Sequence, residues 1–137
     1  MKGIIERFKE LPGMSFIPAA SEEEITIWEK ENGVALPPDY REWLKFSDGG
    51  EIFIPGMQLY GVTHKPLLSY FNRPEERETL PEELYVLGEF GFGDYLCFVR
   101  GEDAIVQWDH ENWDEFMRWD SFKDFLPDAE EMFGEEA

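Results

Sequence analysis

Cysteine is almost missing from this chain. A single thiol, Cys97, in 137 residues excludes an internal disulfide and any four-cysteine metal site, and it suits a reducing compartment. Histidine is also scarce. His64 and His110 are the only two, whereas a zinc site needs three or four ligands at compatible spacing. No apolar run approaches the ~18 residues of a membrane-spanning helix. The N-terminus carries Lys2, Arg7 and Lys9 but lacks the apolar stretch of a signal peptide; a cytoplasmic protein is expected. Basic residues are few, 12 against 31 acids, for a net charge of −19. Phosphate backbones and anionic membrane surfaces would be repelled, so neither nucleic acid nor membrane is an expected direct partner. A basic protein would be attracted, mainly through a faster on-rate.

The core material is ample. The chain is 42% hydrophobic and 16% aromatic, and its length argues for one domain over residues 1–137, able to bury roughly 68% of its unfolded surface. Ile4, Ile5, Phe8 and Leu11 fall at helical spacing, and Pro12-Gly13 stops that helix. Ser21-Glu22-Glu23-Glu24 is a capping box, with Ile25, Ile27 and Trp28 as the apolar positions of the helix that follows and Asn32-Gly33 as its end. Pro37-Pro38 start another helix, to about Ser47, whose stripe is Tyr40, Trp43 and Leu44; Asp48-Gly49-Gly50 ends it. Strands are expected at 52–54 and 57–60 around a Pro55-Gly56 turn, then at 84–88, 94–100 and 104–109. Between them, residues 63–83 read as a polar excursion with a short helix near 66–72. Trp113, Phe116 and Trp119 add aromatic surface. Ser121 caps a last helix carrying Phe122, Phe125 and Leu126, which Pro127 is expected to kink or restart. Helices, an antiparallel meander and a closing helix make an α+β fold.

Candidate catalytic chemistry is thin. Asp109-His110-Glu111 offers several ligand types, but adjacent residues of an extended segment point apart, so a solvated turn without metal is expected. Cys97 lies inside the apolar run 95–99 and reads as a small core residue, because a reactive thiolate needs an electropositive, accessible setting. Gly88-Glu-Phe-Gly-Phe-Gly93 lacks the spacing and the following helix of a nucleotide loop, and reads as a tight strand connection. No serine-nucleophile elbow occurs. No catalytic, metal or cofactor residues are assigned, and an enzyme is not expected.

Acidic clusters remain. Glu22–Glu24 complements a helix N-terminus. Two others border strands and turns and are the candidate partner-binding patches: Glu75, Glu76, Glu82 and Glu83 in the excursion, and Asp109, Glu111 and Asp114 at and just beyond the end of the last expected strand.

In order along the chain, the helix ending in Glu31-Asn32-Gly33, the segment Leu36-Pro-Pro-Asp-Tyr-Arg-Glu-Trp-Leu44, Ser47-Asp-Gly-Gly50, Ile54-Pro-Gly-Met-Gln-Leu-Tyr-Gly61, Leu87–Phe98, Ile105-Val-Gln-Trp-Asp-His-Glu111 and Phe122-Lys-Asp-Phe-Leu126 resemble the SUKH superfamily. This group comprises yeast cell-wall-synthesis regulators and bacterial polymorphic-toxin immunity proteins, and the resemblance covers about residues 20–127. It implies helices packed around a bent antiparallel sheet, and binding without catalysis. The function it implies is an immunity protein that occludes the active surface of a basic toxin domain, often a nuclease. The alternative is a cytosolic regulatory scaffold.

Overall fold

The computed structural model describes residues 1–134, so the last three residues of the expected domain lie outside the described part. The elements run α1 (Lys2–Lys9), α2 (Glu22–Asn32), α3 (Pro38–Leu44), β1 (Gly50–Ile52), β2 (Met57–Leu59), α4 (Leu68–Phe71), β3 (Leu84–Phe90), β4 (Tyr95–Val99), β5 (Ile105–Asp109), β6 (Asp114–Trp119) and α5 (Phe122–Phe133). All six strands form one antiparallel sheet in sequence order. The architecture is the α+β arrangement expected, and among the described residues no helix is long and apolar enough to cross a membrane.

Local signals placed most elements. The capping box forms as expected: the Glu24 amide donates to Ser21 Oγ at 3.0 Å, and the Ser21 amide donates to Glu24 Oε1 at 2.8 Å. Gly33 closes α2 in the left-handed region, at φ 64°. Ile25 and Trp28 are buried, but Ile27 is exposed, because it sits on the opposite face of α2. Tyr40, Trp43 and Leu44 are wholly buried. Trp43 is the hub of an aromatic cluster that meets Phe8 of α1, Phe16, Phe46 and Phe122 of α5 edge-on. Edge-to-face contacts of this kind add to the area such rings bury.

Several boundaries move. The strand expected at 52–54 begins earlier, at Gly50, and Phe53 turns out of it at φ 52°. The helix expected to reach Ser47 ends at Leu44. Pro127 does not restart the last helix, which runs unbroken from Phe122 to Phe133. The segment expected only to add aromatic surface is the strand β6, paired with β5 from Ile105–Trp119 to Asp109–Asp114. Its residues are exposed except Trp119, so no alternation of apolar and polar residues marks it.

The polar excursion has a structural role. β2 pairs only with the Gly88–Phe90 end of β3, after a bulge between Val86 and Gly88. The other end of β3 lacks a strand neighbour on that side. Asn72 supplies the missing pairing: its side chain donates to the Val86 carbonyl at 2.9 Å and accepts from the Val86 amide at 2.8 Å. Arg77 donates to the carbonyls of Pro81 at 3.0 Å and Leu84 at 2.5 Å. Buried backbone groups require such partners.

Asp48 anchors the start of the same excursion. Its carboxylate is buried and accepts from the amides of Val62 at 2.7 Å, Thr63 at 2.9 Å and His64 at 2.8 Å, from Thr63 Oγ1 at 2.6 Å and from His64 Nδ1 at 2.9 Å. Burial alone would raise this carboxyl; the hydrogen bonds, that of Thr63 foremost, outweigh it and hold the group below its usual value.

Candidate functional site

The connection from β3 to β4 is short. The Gly93 amide donates to the Phe90 carbonyl at 2.9 Å, and the Phe90 amide donates to the Asp94 carbonyl at 2.8 Å. Gly93 sits at φ 104°, and a Cβ there would stand 3.1 Å from His110 Nε2. Glycine therefore serves both the turn and the close approach of the imidazole. The expected tight strand connection is present.

Asp94 follows, nearly buried. Its Oδ1 accepts from the His110 amide at 3.1 Å and lies 2.5 Å from His110 Nδ1, and its Oδ2 accepts from Gln107 Nε2 at 2.8 Å. The hydrogen bond to Asp94 is the main reason the His110 pKa is raised. One carboxylate on β4's entrance thereby clamps the turn that leaves β5. Asp109 shapes the rest of that turn. Its carboxylate accepts from the amides of Glu111 at 2.7 Å and Asn112 at 3.1 Å and from Asn112 Nδ2 at 3.3 Å, and the amide bonds hold its pKa down. Trp113, at φ 53°, completes the turn in a conformation bulky residues rarely adopt.

The result is a face at one end of the sheet. A hollow of about 320 Å³ is lined by Phe92, Gln107, His110, Glu111 and Phe116 among others. Phe92 also lines a second hollow, about 250 Å³, with Phe53, Pro55, Gly91 and Phe133. Phe92 and Phe116, which share the first hollow, are 54% and 63% exposed, and Trp113 in the turn before β6 is 46% exposed; such exposure is unusual for rings of this size. Phe92 stacks on the buried Phe90 at 5.3 Å, which holds it in place.

The expected site residues divide. Glu111 is exposed in the wall of the hollow that Phe92 and Phe116 line, and Asp114 is exposed at the start of β6. Asp109 is half-buried and committed to the turn, so it shapes the face rather than presenting a free charge. Glu75 and Glu76 are exposed but pair with Arg73 at 3.5 and 2.9 Å. Glu82 and Glu83 are exposed at the entry to β3, in the loop that Arg77 pins. Phe92 and the β6 residue Phe116 are not among the expected site residues. The two aromatics of the Gly88–Gly93 run are the signal that points to Phe92; Phe116 has none beyond its size.

The expectation that Asp109 and His110 could not converge is corrected. The chain turns between them, and Asp109, His110 and Asp94 offer ligand atoms within 4.8 Å of one another. Both carboxylates already accept three hydrogen bonds each. The set is a clamp built from the chain's own donors. Cys97 is buried, and burial pushes its thiol up to about 12, in keeping with a core role.

A family model for the SMI1/KNR4 family (SUKH-1) matches residues 19–128. The chain belongs to this family. The match runs from just before α2 into α5 and so includes the whole sheet, the Asp94–His110 clamp and the aromatic face. A solved structure of a protein from Pseudomonas syringae pv. tomato shares this fold, with a TM-score of 0.66 and 18% identity over 93% of this chain and 96% of that one. No curated protein matches the chain in sequence.

Proposed function

We propose that this SUKH domain is a non-enzymatic immunity protein that binds a basic toxin domain and occludes its active surface. The observation that carries the reading is the hollow that exposed Phe92 and Phe116 share with Glu111, with Trp113 and Asp114 exposed in the adjoining turn and strand, on a chain of net charge −19. Aromatics at the centre of an interface supply most of its affinity, and acids around them steer a basic partner. The clamp formed by Asp94, His110 and Asp109 holds the turn in its bound shape in advance, which lowers the ordering cost of association.

The test is co-purification with basic domains encoded beside this chain's gene, followed by association kinetics across a salt series. A complex whose on-rate falls steeply as salt rises supports the reading, since exposed charges lose their reach within about 10 Å at 0.1 M salt. A salt-independent on-rate removes the electrostatic part. Capture of ordinary cellular proteins, and of no neighbouring domain, points to the regulatory-scaffold alternative.

A further inference from the structure

A sheet of six strands in sequence order has two edges, and this chain treats them differently. β1 has three residues, and its outer side is taken: Ser15 and Glu51 exchange hydrogen bonds, the Ser15 amide to the Glu51 carbonyl at 2.9 Å and the Glu51 amide to the Ser15 carbonyl at 3.0 Å. The other edge, β6, has six residues and pairs with β5 over its length. Among the described residues no backbone group of another segment pairs with the outer side of β6, and the one side-chain bond to its backbone is local, from the Glu115 amide to Asp114 Oδ1 at 2.8 Å. α5 meets β6 at the strand's end, where Trp119 packs on Phe125 and donates to Asp128.

Free edges template further pairing, and proteins commonly guard them with lysine, proline or cover. β6 has neither lysine nor proline. Its one cation, Arg118, is held by Glu115 through two hydrogen bonds of 3.0 and 2.8 Å, so its charge is locally neutralised. A bulge between Gln107 and Trp108 inserts Phe116 as the extra residue of β6. Bulges re-aim side chains, and this one sets Phe116 in the wall of the hollow with Phe92 and His110. Met117 beside it is 40% exposed. From Glu111 to Asp120 stand four acids and one base, all exposed; with Glu115 paired to Arg118, the acids Glu111, Asp114 and Asp120 keep their net charge.

We infer that β6 accepts an added strand from the basic partner, with main-chain hydrogen bonds along Asp114–Arg118 and an apolar side chain seated against Phe116. This inference rests on the protein-binding reading above and specifies its geometry. The charge chooses the occupant. A second copy of this chain would bring another net charge of −19 against the first, and self-repulsion of that size disfavours pairing of two copies. A strand carrying Lys or Arg between apolar residues meets both the acids and the rings, and strand addition draws affinity from the backbone and specificity from alternate side chains.

The test uses the full chain, isotopically labelled, and a capped seven-residue peptide alternating Lys and Val as probe. A second probe has the same side chains with alternate backbone nitrogens methylated, which keeps the charge and removes the donors. The expected result is slowed amide exchange and shifted resonances confined to residues 113–119, with binding weakened by at least about tenfold for the methylated peptide, since several main-chain hydrogen bonds are lost. Equal binding of the two peptides, or shifts only at Glu75–Glu83, overturns strand addition and leaves charge-driven protein binding standing. Failure of both peptides to bind overturns the strand addition, and if the neighbouring basic domains also fail to co-purify, the binding reading falls as well.

Discussion

Replacing Asp48 by Asn isolates the contribution of one buried charge to the fold. Asp48 is fully buried, with Oδ1 accepting from Val62 and Oδ2 accepting from Thr63 and His64. An asparagine can place its carbonyl at only one of the two oxygen positions. The better choice is the Oδ2 position, which keeps the bonds from Thr63 and His64 but turns the amide nitrogen toward the Val62 N–H. That orphaned buried donor costs roughly 1–3 kcal/mol, and the remaining bonds weaken because the acceptor has lost its charge; the total is about 3–5 kcal/mol. Against a typical stability of roughly 5–15 kcal/mol this is a large fraction, and for a domain of this size it lowers Tm by about 10–15 °C. The internal control is Asp94→Asn. There the partner on Oδ2 is Gln107, whose own Oε1 has no hydrogen-bond partner. Rotating the Gln107 amide by half a turn lets its Oε1 accept from the introduced amide nitrogen, so this substitution costs only about 1 kcal/mol. Urea and thermal unfolding of both variants at pH 7 measure the contrast. The sign with pH follows from Asp48's depressed pKa: its contribution is present above the unfolded value and is lost as pH falls through the folded one. Asp48→Asn therefore also flattens the acid limb of the stability curve. Equal losses for the two variants, or a loss under about 0.5 kcal/mol for Asp48→Asn, would refute the reasoning.

Further outcomes follow from other sites. His110 carries a raised pKa from its bond to Asp94, so the contribution of this pair is complete below pH ~6.5 and declines as pH rises through the folded value; an NMR titration of the His110 ring reads the shift, and Asp94→Asn should return it toward the ordinary value. Tyr40→Phe removes the buried hydrogen bond from the Tyr40 hydroxyl to the Tyr60 carbonyl at 2.5 Å, and denaturation should show a loss of about 1–2 kcal/mol. Cys97, buried with its thiol pushed up to about 12, should resist thiol reagents in the native protein and react on unfolding in urea; rapid native labelling would contradict its place in the core. Gly93→Ala forces a side chain into the left-handed region and against the His110 ring; shifts of the 110–113 resonances, with the rest of the sheet unchanged, would register the displaced clamp.

The aromatic–acidic face is legible in the sequence only in part. Glu111 and Asp114 stand out because they border a turn, and a border is a local property. Their relation to Phe92 and Phe116 is not legible, since it depends on the β3–β4 turn arriving beside the β5–β6 turn. Asp109 reads as a free acid in the sequence, although its charge is spent on the two amides after it. Sequence spacing permits that geometry but does not require it. The excursion at 63–83 is recognisably irregular, while its task of completing β3 through Asn72 and Arg77 depends on a strand that Asn72 reaches 14 residues further along the chain.

Elements whose cause lies within one or two turns of chain were determined by the sequence itself. The Ser21 capping box, the Pro38 helix start, the buried stripe Tyr40, Trp43 and Leu44, and the core position of Cys97 all follow from spacing and from the φ limits of proline and glycine. Tertiary structure alone decided β6, which shows no alternation because it is exposed along nearly all its length and is held in place by β5. It also decided the two buried aspartates: Asp48 and Asp94 each bond residues 13 to 16 positions away. Which donors surround a carboxylate at that distance is set by how the sheet closes, and a linear pattern of residue types does not carry that information.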